Sequence, residues 1–202
     1  MSTGKVTSRR PLSSADWIGA ALEVIVEDGL GGVAVEPLAV RLGATKGSFY
    51  HHFPNRDALI VAALEHWELA QTEAVIERLA LLPDPAERLR AVMAAALADR
   101  EGGRRDAAVL ASATHPLVKP FVARVTQRRL AYITQVYAQL GLPEARARQR
   151  ALFLYSSYVG LYECLRVGVE HLDDSELRAY AAELLTTVVP SSNGHEHRSR
   201  RS

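Results

Sequence analysis

The stretch that decides the fold is LGATKGSFYHHF, Leu42–Phe53, in which two glycines four residues apart bracket a threonine and a lysine. Gly43 favours the end of a helix, because a residue without a Cβ adopts the left-handed cap at little cost. Thr45 is a good N-cap for a new helix, which has to end before Pro54. A helix end, a turn of about three or four residues and a new short helix predict a helix-turn-helix.

Two further helices are predicted upstream of this stretch. Ser13 and Asp16 have the spacing of a capping box, and the apolar residues between 17 and 25 recur at helical spacing. Gly29 suits the end of this first helix. A second helix is predicted over 35–42, with its apolar residues at i, i+3, i+4 and i+7.

The rest of the chain also predicts helices, which makes the protein all-α with about nine helices. A fourth helix begins near residue 55, continues to about Leu82 and is broken by prolines at 83 and 85. Glu101-Gly102-Gly103 is predicted to be a loop, because two adjacent glycines disfavour a helix interior. The remaining helices are expected at about 86–100, 104–113, 117–140, 144–168 and 174–189.

Composition restricts the class of protein. Of the 202 residues, 48% are apolar and 23% are charged, as in ordinary soluble globular proteins. Cys164 is the only cysteine, so an intrachain disulfide is impossible and a cytoplasmic location is expected. We expect its thiol to be a small buried apolar group, since no cationic side chain lies one turn before it to favour redox sensing. Neither a membrane-spanning run nor a secretory signal is predicted.

The net charge of only +1 argues against a strongly basic nucleic-acid binder. A DNA-binding prediction therefore has to rest on local geometry. A modest charge is compatible with regulation, because it keeps non-specific affinity for DNA low.

The beginning of the third helix has the chemistry that a major-groove contact requires. Such an end needs small side chains, hydrogen-bond donors and the positive end of the helix dipole. Thr45 and Ser48 supply hydroxyls, Lys46 supplies a cation, and Gly47 leaves room for the groove wall. Phe49 is expected to face the core. Tyr50 and His51 are expected on the exposed side, where side chains contact phosphates.

Residues 14–64 resemble the TetR family of bacterial transcriptional regulators, the tetracycline-repressor-like proteins. The resemblance is carried by the pattern G-x-(S/T)-x-G-x-(L/F)-Y-x-(H/Y)-F and by Asn55-Arg56-Asp57 after it. It implies contacts to bases or phosphates, which a basic N-terminal arm would extend. The candidate DNA-binding residues are Arg9, Arg10, Thr45, Lys46, Gly47, Ser48, Tyr50, His51, Asn55 and Arg56.

The sequence departs from that family pattern at the second helix. Ala34 stands where the family usually has a serine or threonine N-cap. Glu36 would repel phosphate if it faced DNA, so we expect it to face away.

The resemblance also implies a homodimer, formed by a four-helix bundle of two helices from each subunit, about 144–168 and 174–189. Two copies would place their third helices in successive major grooves about 34–36 Å apart, so the operator should be a pseudo-palindrome. The candidate interface residues are Leu152, Tyr155, Val159, Tyr162, Leu184, Leu185 and Val188.

The tyrosines of the C-terminal half allow two interpretations. They either pack in the core and the interface, or line a pocket for an unknown small apolar or amphipathic effector. The candidate pocket residues are Met93, Leu97, Leu110, His115, Phe121, Val125, Tyr155 and Tyr158. No cofactor is predicted, and no metal site either, because His51 and His52 project about 100° apart on a helix.

The predicted organisation is a mobile basic arm at 1–12, a DNA-binding domain at 13–67 with its motif at about 34–53, a regulatory and dimerisation domain at 68–189, and a disordered tail at 190–202. The predicted function is that of a sequence-specific transcriptional regulator, a repressor that a small molecule releases from its operator. One alternative is a helical adaptor that has lost DNA binding. A small helical enzyme is the other, although G-x-S-x-G, H-E-x-x-H and nucleotide-loop motifs are absent, so we predict that the protein is not an enzyme.

Overall fold

A computed structural model describes residues 11–188, with side chains through residue 187. The chain divides into two compact units, the first ending at His66 and the second beginning at Trp67. Residues 1–10 of the predicted basic arm, which include Arg9 and Arg10, the predicted tail, and the side chain of Val188 lie outside the described residues. Between residues 11 and 188 there is no strand, which confirms the all-α prediction. No helix in this range combines the length and apolar character needed to cross a membrane.

The first unit contains the predicted helix-turn-helix. Its elements are α1 (Ser14–Asp28), a single 3₁₀ turn (Leu30–Gly32), α2 (Val35–Leu42), α3 (Lys46–His52) and the beginning of α4 (Arg56–Glu68). The expected caps are present. Asp16 accepts a 2.7 Å hydrogen bond from the Ser13 amide, and Gly43 ends α2 with φ 61° and ψ 40°, the left-handed conformation.

Trp17 and Phe49 form the centre of the first core. Both side chains are fully buried, and their rings meet edge to face with centroids 5.4 Å apart. Such an aromatic pair contributes about 0.5–1.5 kcal/mol beyond the area that it buries. Because Phe49 lies in the middle of α3, this contact fixes which face of α3 points inward.

The second unit is a bundle that begins with the last residues of α4. It continues through a π-helical turn (Leu69–Glu73), α5 (Ala74–Ala80), α6 (Pro85–Ala98), α7 (Arg100–Ala111), α8 (Lys119–Gln139), α9 (Glu144–Arg166) and α10 (Asp174–Val188). With α4, the π-helical turn and α5 taken as one interrupted helix, the described part of the chain has nine helices. Leu89, Met93, Tyr137 and Leu154 are among its fully buried side chains.

The fourth helix is not continuous to Leu82 as predicted. The Ala74 amide donates to the Leu69 carbonyl, a five-residue spacing that marks one extra residue in the helix. Helical periodicity does not reveal such an insertion, because the residues on either side keep their own regular spacing.

The predicted loop at 101–103 is wrong, because α7 begins at Arg100 and includes both glycines. Asp99 is the N-cap and accepts a 2.9 Å hydrogen bond from the Gly102 amide. Gly103 is required by packing: a Cβ added there would lie 1.9 Å from Cζ of Tyr162. The glycines therefore allow α9 to approach α7, and they do not mark a turn.

We predict that Gly103→Ala destabilises the second unit by about 1–3 kcal/mol, the usual cost of overpacking a core. Urea unfolding followed by circular dichroism measures this change. Gly19→Ala is the control, because nothing lies within 4 Å of a Cβ placed there in α1. That control should be neutral or stabilise by up to about 1 kcal/mol. Equal effects of the two variants would contradict the packing role of Gly103.

Candidate functional site

The first turn of α3 is open to solvent. Thr45, Lys46 and Gly47 are exposed, and Tyr50 on the same helix keeps 57% of its surface accessible. The Thr45 hydroxyl accepts a 3.2 Å hydrogen bond from the Ser48 amide and so caps the helix. The first amides of a helix have no acceptor within it, and together with the positive end of the helix dipole they are suited to anions.

Lys46 forms an ion pair with Glu36 of α2. Glu36 therefore lies beside the beginning of α3, and the expectation that it faces away from DNA stays a prediction. The hydrogen bond that Lys46 donates to Glu36 and the negative charge of Glu36 both raise the pKa of Lys46. Both side chains are more than half exposed, so the pair contributes little to stability and can separate when a phosphate competes for the lysine.

Arg56 has an internal structural role that sequence analysis did not identify. Its guanidinium donates to the Val33 carbonyl and, at 2.8 Å, to the Leu30 carbonyl. It thereby holds the 3₁₀ turn between α1 and α2. Asn55 caps α4, its side-chain oxygen accepting a 2.8 Å bond from the Ala58 amide. Contacts of Asn55 and Arg56 with phosphate stay a prediction.

The other predicted residues of this surface have simpler surroundings. His51 is exposed, and its ring lies edge to face against His52 with centroids 5.3 Å apart. No cluster of three potential metal ligands occurs between residues 11 and 188. Ala34 is the N-cap of α2 and provides no side-chain hydrogen bond, because its methyl group has no acceptor atom.

A cavity of about 610 Å³ lies in the second unit, within the size range of small-molecule sites. Met93, Tyr155 and Tyr158 of the predicted pocket residues line it. Leu97, Leu110, His115, Phe121 and Val125 are not among the lining residues. His115 instead accepts a 3.3 Å bond from the Leu117 amide, and Phe121 lies 4.7 Å from the guanidinium carbon of Arg124.

A buried carboxylate, Asp106 of α7, is part of the cavity lining, and we call the lining around it the buried end of the cavity. Asp106 accepts hydrogen bonds from the Trp67 indole (2.7 Å), from the Tyr158 hydroxyl (2.9 Å) and from two nitrogens of Arg129. The side chains of Asp106 and Arg129 are only 2% and 13% exposed. Burial acts to lower the pKa of Arg129, but the charge and hydrogen bonds of Asp106 outweigh it and raise the pKa.

Arg129 extends this network to the π-helical turn. It donates to the Thr72 hydroxyl at 2.9 Å and to the Gln71 carbonyl at 3.0 Å. We call Trp67, Thr72, Asp106, Arg129 and Tyr158 the Asp106 network. Gln71 and all members except Trp67 also line the cavity, so a bound molecule would lie directly against the network.

Two exposed arginines of α8 also pair with the helical segment around the π-helical turn. Arg124 binds Glu68, and Arg128 binds Glu73. The structure pairs them within the second unit.

The predicted dimer residues do not share one exposed surface. Tyr162 and Leu184 are buried within the subunit, Tyr155, Val159 and Leu185 are half-buried, and Leu152 is 55% exposed. Phe153, which the sequence analysis missed, is 48% exposed. Because α9 has apolar residues all round, periodicity does not tell which of them face the subunit's own core. Cys164, on the same helix, is half-buried.

Comparisons with known proteins agree with these features. Residues 18–63 match the family model for bacterial regulatory proteins of the tetR family. The HTH-type transcriptional regulator BetI of Burkholderia ambifaria (strain MC40-6) is 30% identical over 158 residues, 76% of this chain and 81% of that protein. Two solved structures share the fold. A transcriptional regulator from Rhodococcus sp. Rha1 has a TM-score of 0.72 at 23% identity, covering 88% of this chain and 96% of its own. AibR in complex with isovaleryl coenzyme A and operator DNA has a TM-score of 0.65 at 19% identity, covering 88% and 98%.

We predict opposite effects from changing the caps of the two helices of the motif. Thr45→Ala removes the bond to the Ser48 amide and should destabilise the first unit by about 1 kcal/mol, whereas Ala34→Ser adds a missing cap and should stabilise it by up to about that amount. Amide hydrogen exchange in α1–α3 measures both changes. Slower exchange in Thr45→Ala, or faster exchange in Ala34→Ser, would contradict the cap assignments.

Proposed function

Since the chain belongs to the TetR family of bacterial regulatory proteins, we propose that the exposed beginning of α3 enters the major groove of an operator. The protein is a DNA-binding, ligand-responsive transcriptional regulator. The observation that supports the proposed contact is that α3 has one buried face and one solvent-exposed face. Phe49 is fully buried, while Thr45, Lys46, Gly47 and Tyr50 are exposed.

Each exposed group has a definite role in this proposal. Gly47 lets the backbone come close to the groove wall, and the amides of the first turn bind a phosphate with the help of the helix dipole. Lys46 leaves Glu36 to contact a phosphate or a guanine, and the Tyr50 hydroxyl bonds to a phosphate. Ser48 and His51 are further candidates on the same helix, and Asn55 and Arg56 on the next.

We further propose that the protein is a repressor, released from its operator when a small molecule occupies the cavity of the second unit. AibR, one of the proteins of similar fold, binds both isovaleryl coenzyme A and operator DNA. A ligand can cause release only by binding the DNA-free conformation more tightly than the bound one. The chain passes from one unit to the other inside α4, which ends next to the π-helical turn of the cavity wall.

Members of this family are transcriptional regulators and not enzymes, and we propose no reaction for this chain. A regulator of bacterial genes acts in the cytoplasm, which is the location that we propose. The helical adaptor that has lost DNA binding is the competing function. Its main support is the pairing of Lys46 with Glu36, which leaves the beginning of α3 less cationic than its sequence suggests.

We propose that two copies dimerise through the exposed side of α9. Leu152, Phe153, Ser156 and Gly160 are exposed and lie at spacings of three to four residues on one face of this helix. Leucine and phenylalanine supply apolar area, and the small residues permit a close approach of a second helix. In this proposal the buried Tyr162 and Leu184 belong to the subunit interior and Tyr155 belongs to the cavity lining, in contrast to the original interface prediction.

We predict that Lys46→Ala weakens operator binding about tenfold and lowers the slope of log affinity against log salt by about one, as loss of a phosphate contact requires. The measurement is a gel-shift titration against DNA flanking the protein's own gene, at several salt concentrations. Tyr50→Ala should also weaken binding, with helicity unchanged.

Two controls define this experiment. Lys119→Ala removes an exposed lysine of α8 and should leave binding unchanged, while Glu36→Gln frees Lys46 from its partner and should strengthen binding. Wild-type affinity in Lys46→Ala would refute the assignment of that residue. Absence of any sequence preference in the wild-type protein at moderate salt would instead support the adaptor.

We predict that Leu152→Asp produces monomers, because an aspartate would be buried without a partner in the proposed interface. Sedimentation equilibrium measures the association. Leu81→Asp is the matched control, since Leu81 is 82% exposed and lies outside α9. The proposed interface would be wrong if Leu152→Asp remained as dimeric as Leu81→Asp.

A further inference from the structure

The charges that line the cavity cancel. Four of its lining residues are charged: Arg78 and Arg129 are cationic, and Asp99 and Asp106 are anionic. Arg78 and Asp99 are exposed, so water screens their charges. Asp99 is also the cap of α7 and accepts a 3.3 Å bond from Gln71. Only the pair of Asp106 and Arg129 lies at the buried end.

This buried pair has almost no capacity left for a ligand. Asp106 accepts four hydrogen bonds, two on each oxygen. Arg129 uses its Nε and both terminal nitrogens in four bonds to Asp106, Thr72 and Gln71. A guanidinium has five N–H donors and a carboxylate about four lone-pair sites, so Arg129 keeps one N–H and Asp106 keeps no acceptor site. The two opposite charges neutralise each other, so neither is available as the counter-charge of a ligand.

Three phenol groups of the lining remain available. The Tyr132 hydroxyl is buried and has no hydrogen-bond partner among the described residues. The Tyr158 hydroxyl donates to Asp106 and keeps its acceptor lone pairs, and the Tyr155 hydroxyl has one bond, of 3.1 Å, to Thr126. Burial raises the pKa of Tyr132, although the charges of Arg88 and Arg128 act to lower it, and burial also raises the pKa of Tyr158, so both phenols stay uncharged at neutral pH.

The remainder of the lining is mainly apolar. Its side chains include Val75, Ile76, Leu79, Val92, Ile133 and Leu154. A ligand would therefore bury an apolar body against these residues and place its polar groups among the phenols. A ligand group that bonds to the Tyr132 hydroxyl would satisfy a buried polar atom that has no hydrogen-bond partner among the described residues.

We propose that the effector is an uncharged, largely apolar molecule with one or two hydroxyl or carbonyl groups that bond to Tyr132, Tyr155 and Tyr158. A carboxylate or an ammonium group would enter a buried end that offers it no counter-charge, and desolvation would oppose its binding. The same argument excludes the phosphates of a coenzyme A ester from this end of the cavity. The inference rests on the proposed function, in that the cavity is taken as the effector site.

The test compares probes that share an apolar body and carry head groups of different charge. Calorimetric titration of the full-length protein at pH 7.5 uses 1-decanol, decanoate and decyltrimethylammonium, each below its aggregation concentration. The rigid pair of 2-naphthaleneethanol and the anion of 2-naphthaleneacetic acid repeats the comparison. We expect the neutral member of each series to bind at least ten times more tightly than its charged counterparts. Equal or tighter binding of a charged probe, or no binding by any probe, would overturn the proposal.

Variants of the network sharpen the test. Asp106→Asn leaves Arg129 uncompensated, so decanoate should gain at least tenfold in affinity while 1-decanol changes little. Tyr132→Phe and Tyr158→Phe should each weaken 1-decanol severalfold without any gain for decanoate, and they keep the test decisive if Asp106→Asn does not fold. Tyr180→Phe is the control, because its hydroxyl bonds to the Ser157 carbonyl and does not line the cavity.

A gel shift separates failure of this inference from failure of the proposed function. If the protein binds neutral probes more tightly than charged ones but binds no operator in the gel shift, the regulatory function is refuted and the ligand class stands. Operator binding together with preference for a charged probe would refute only the ligand class.

Discussion

The second unit depends on one buried carboxylate. Asp106 joins the end of α4, through Trp67, to α8 and α9, through Arg129 and Tyr158. Desolvating a single carboxylate is expensive, and here an arginine and two neutral donors offset that cost. The arrangement is specific because each partner comes from a different helix. A displacement of any of these helices would leave a charge or a donor unsatisfied in the interior.

The DNA-binding surface that we propose on the first unit belongs to a nearly neutral protein. Between residues 11 and 66, the arginines and the lysine of this unit are engaged in contacts within it: Arg41 with Glu23 and Glu27, Lys46 with Glu36, and Arg56 with backbone carbonyls. Among the described residues, the backbone amides at the beginning of α3 and a lysine whose ion pair is exposed are the groups that we propose meet an anion. In this proposal the helix dipole contributes to the surface alongside charge.

Features encoded by neighbouring residues were predicted well from the sequence. The bounds of α2, the Thr45 cap and the inward direction of Phe49 all follow from glycine, proline and apolar spacing within a dozen residues. Features that depend on distant partners were not. The sequence analysis assigned Gly102 and Gly103 to a loop. The reason for a glycine at position 103 is the packing of Tyr162 of α9 against it, which the local sequence does not reveal. Single hydrogen bonds of the Asp106 network span up to 57 positions of the sequence, so the network has no local signal.

The extra residue of the π-helical turn has a consequence for comparing this chain with its relatives. One residue of an α-helix corresponds to about 100° of rotation and 1.5 Å of rise. A relative with one residue fewer between Leu69 and Glu73 could form an unbroken helix, in which the side chains of α4 would be turned by that angle relative to those of α5. A single alignment gap in these five positions would then mark a change in geometry, and an alignment forced to run without gaps would pair outward-facing residues with inward-facing ones.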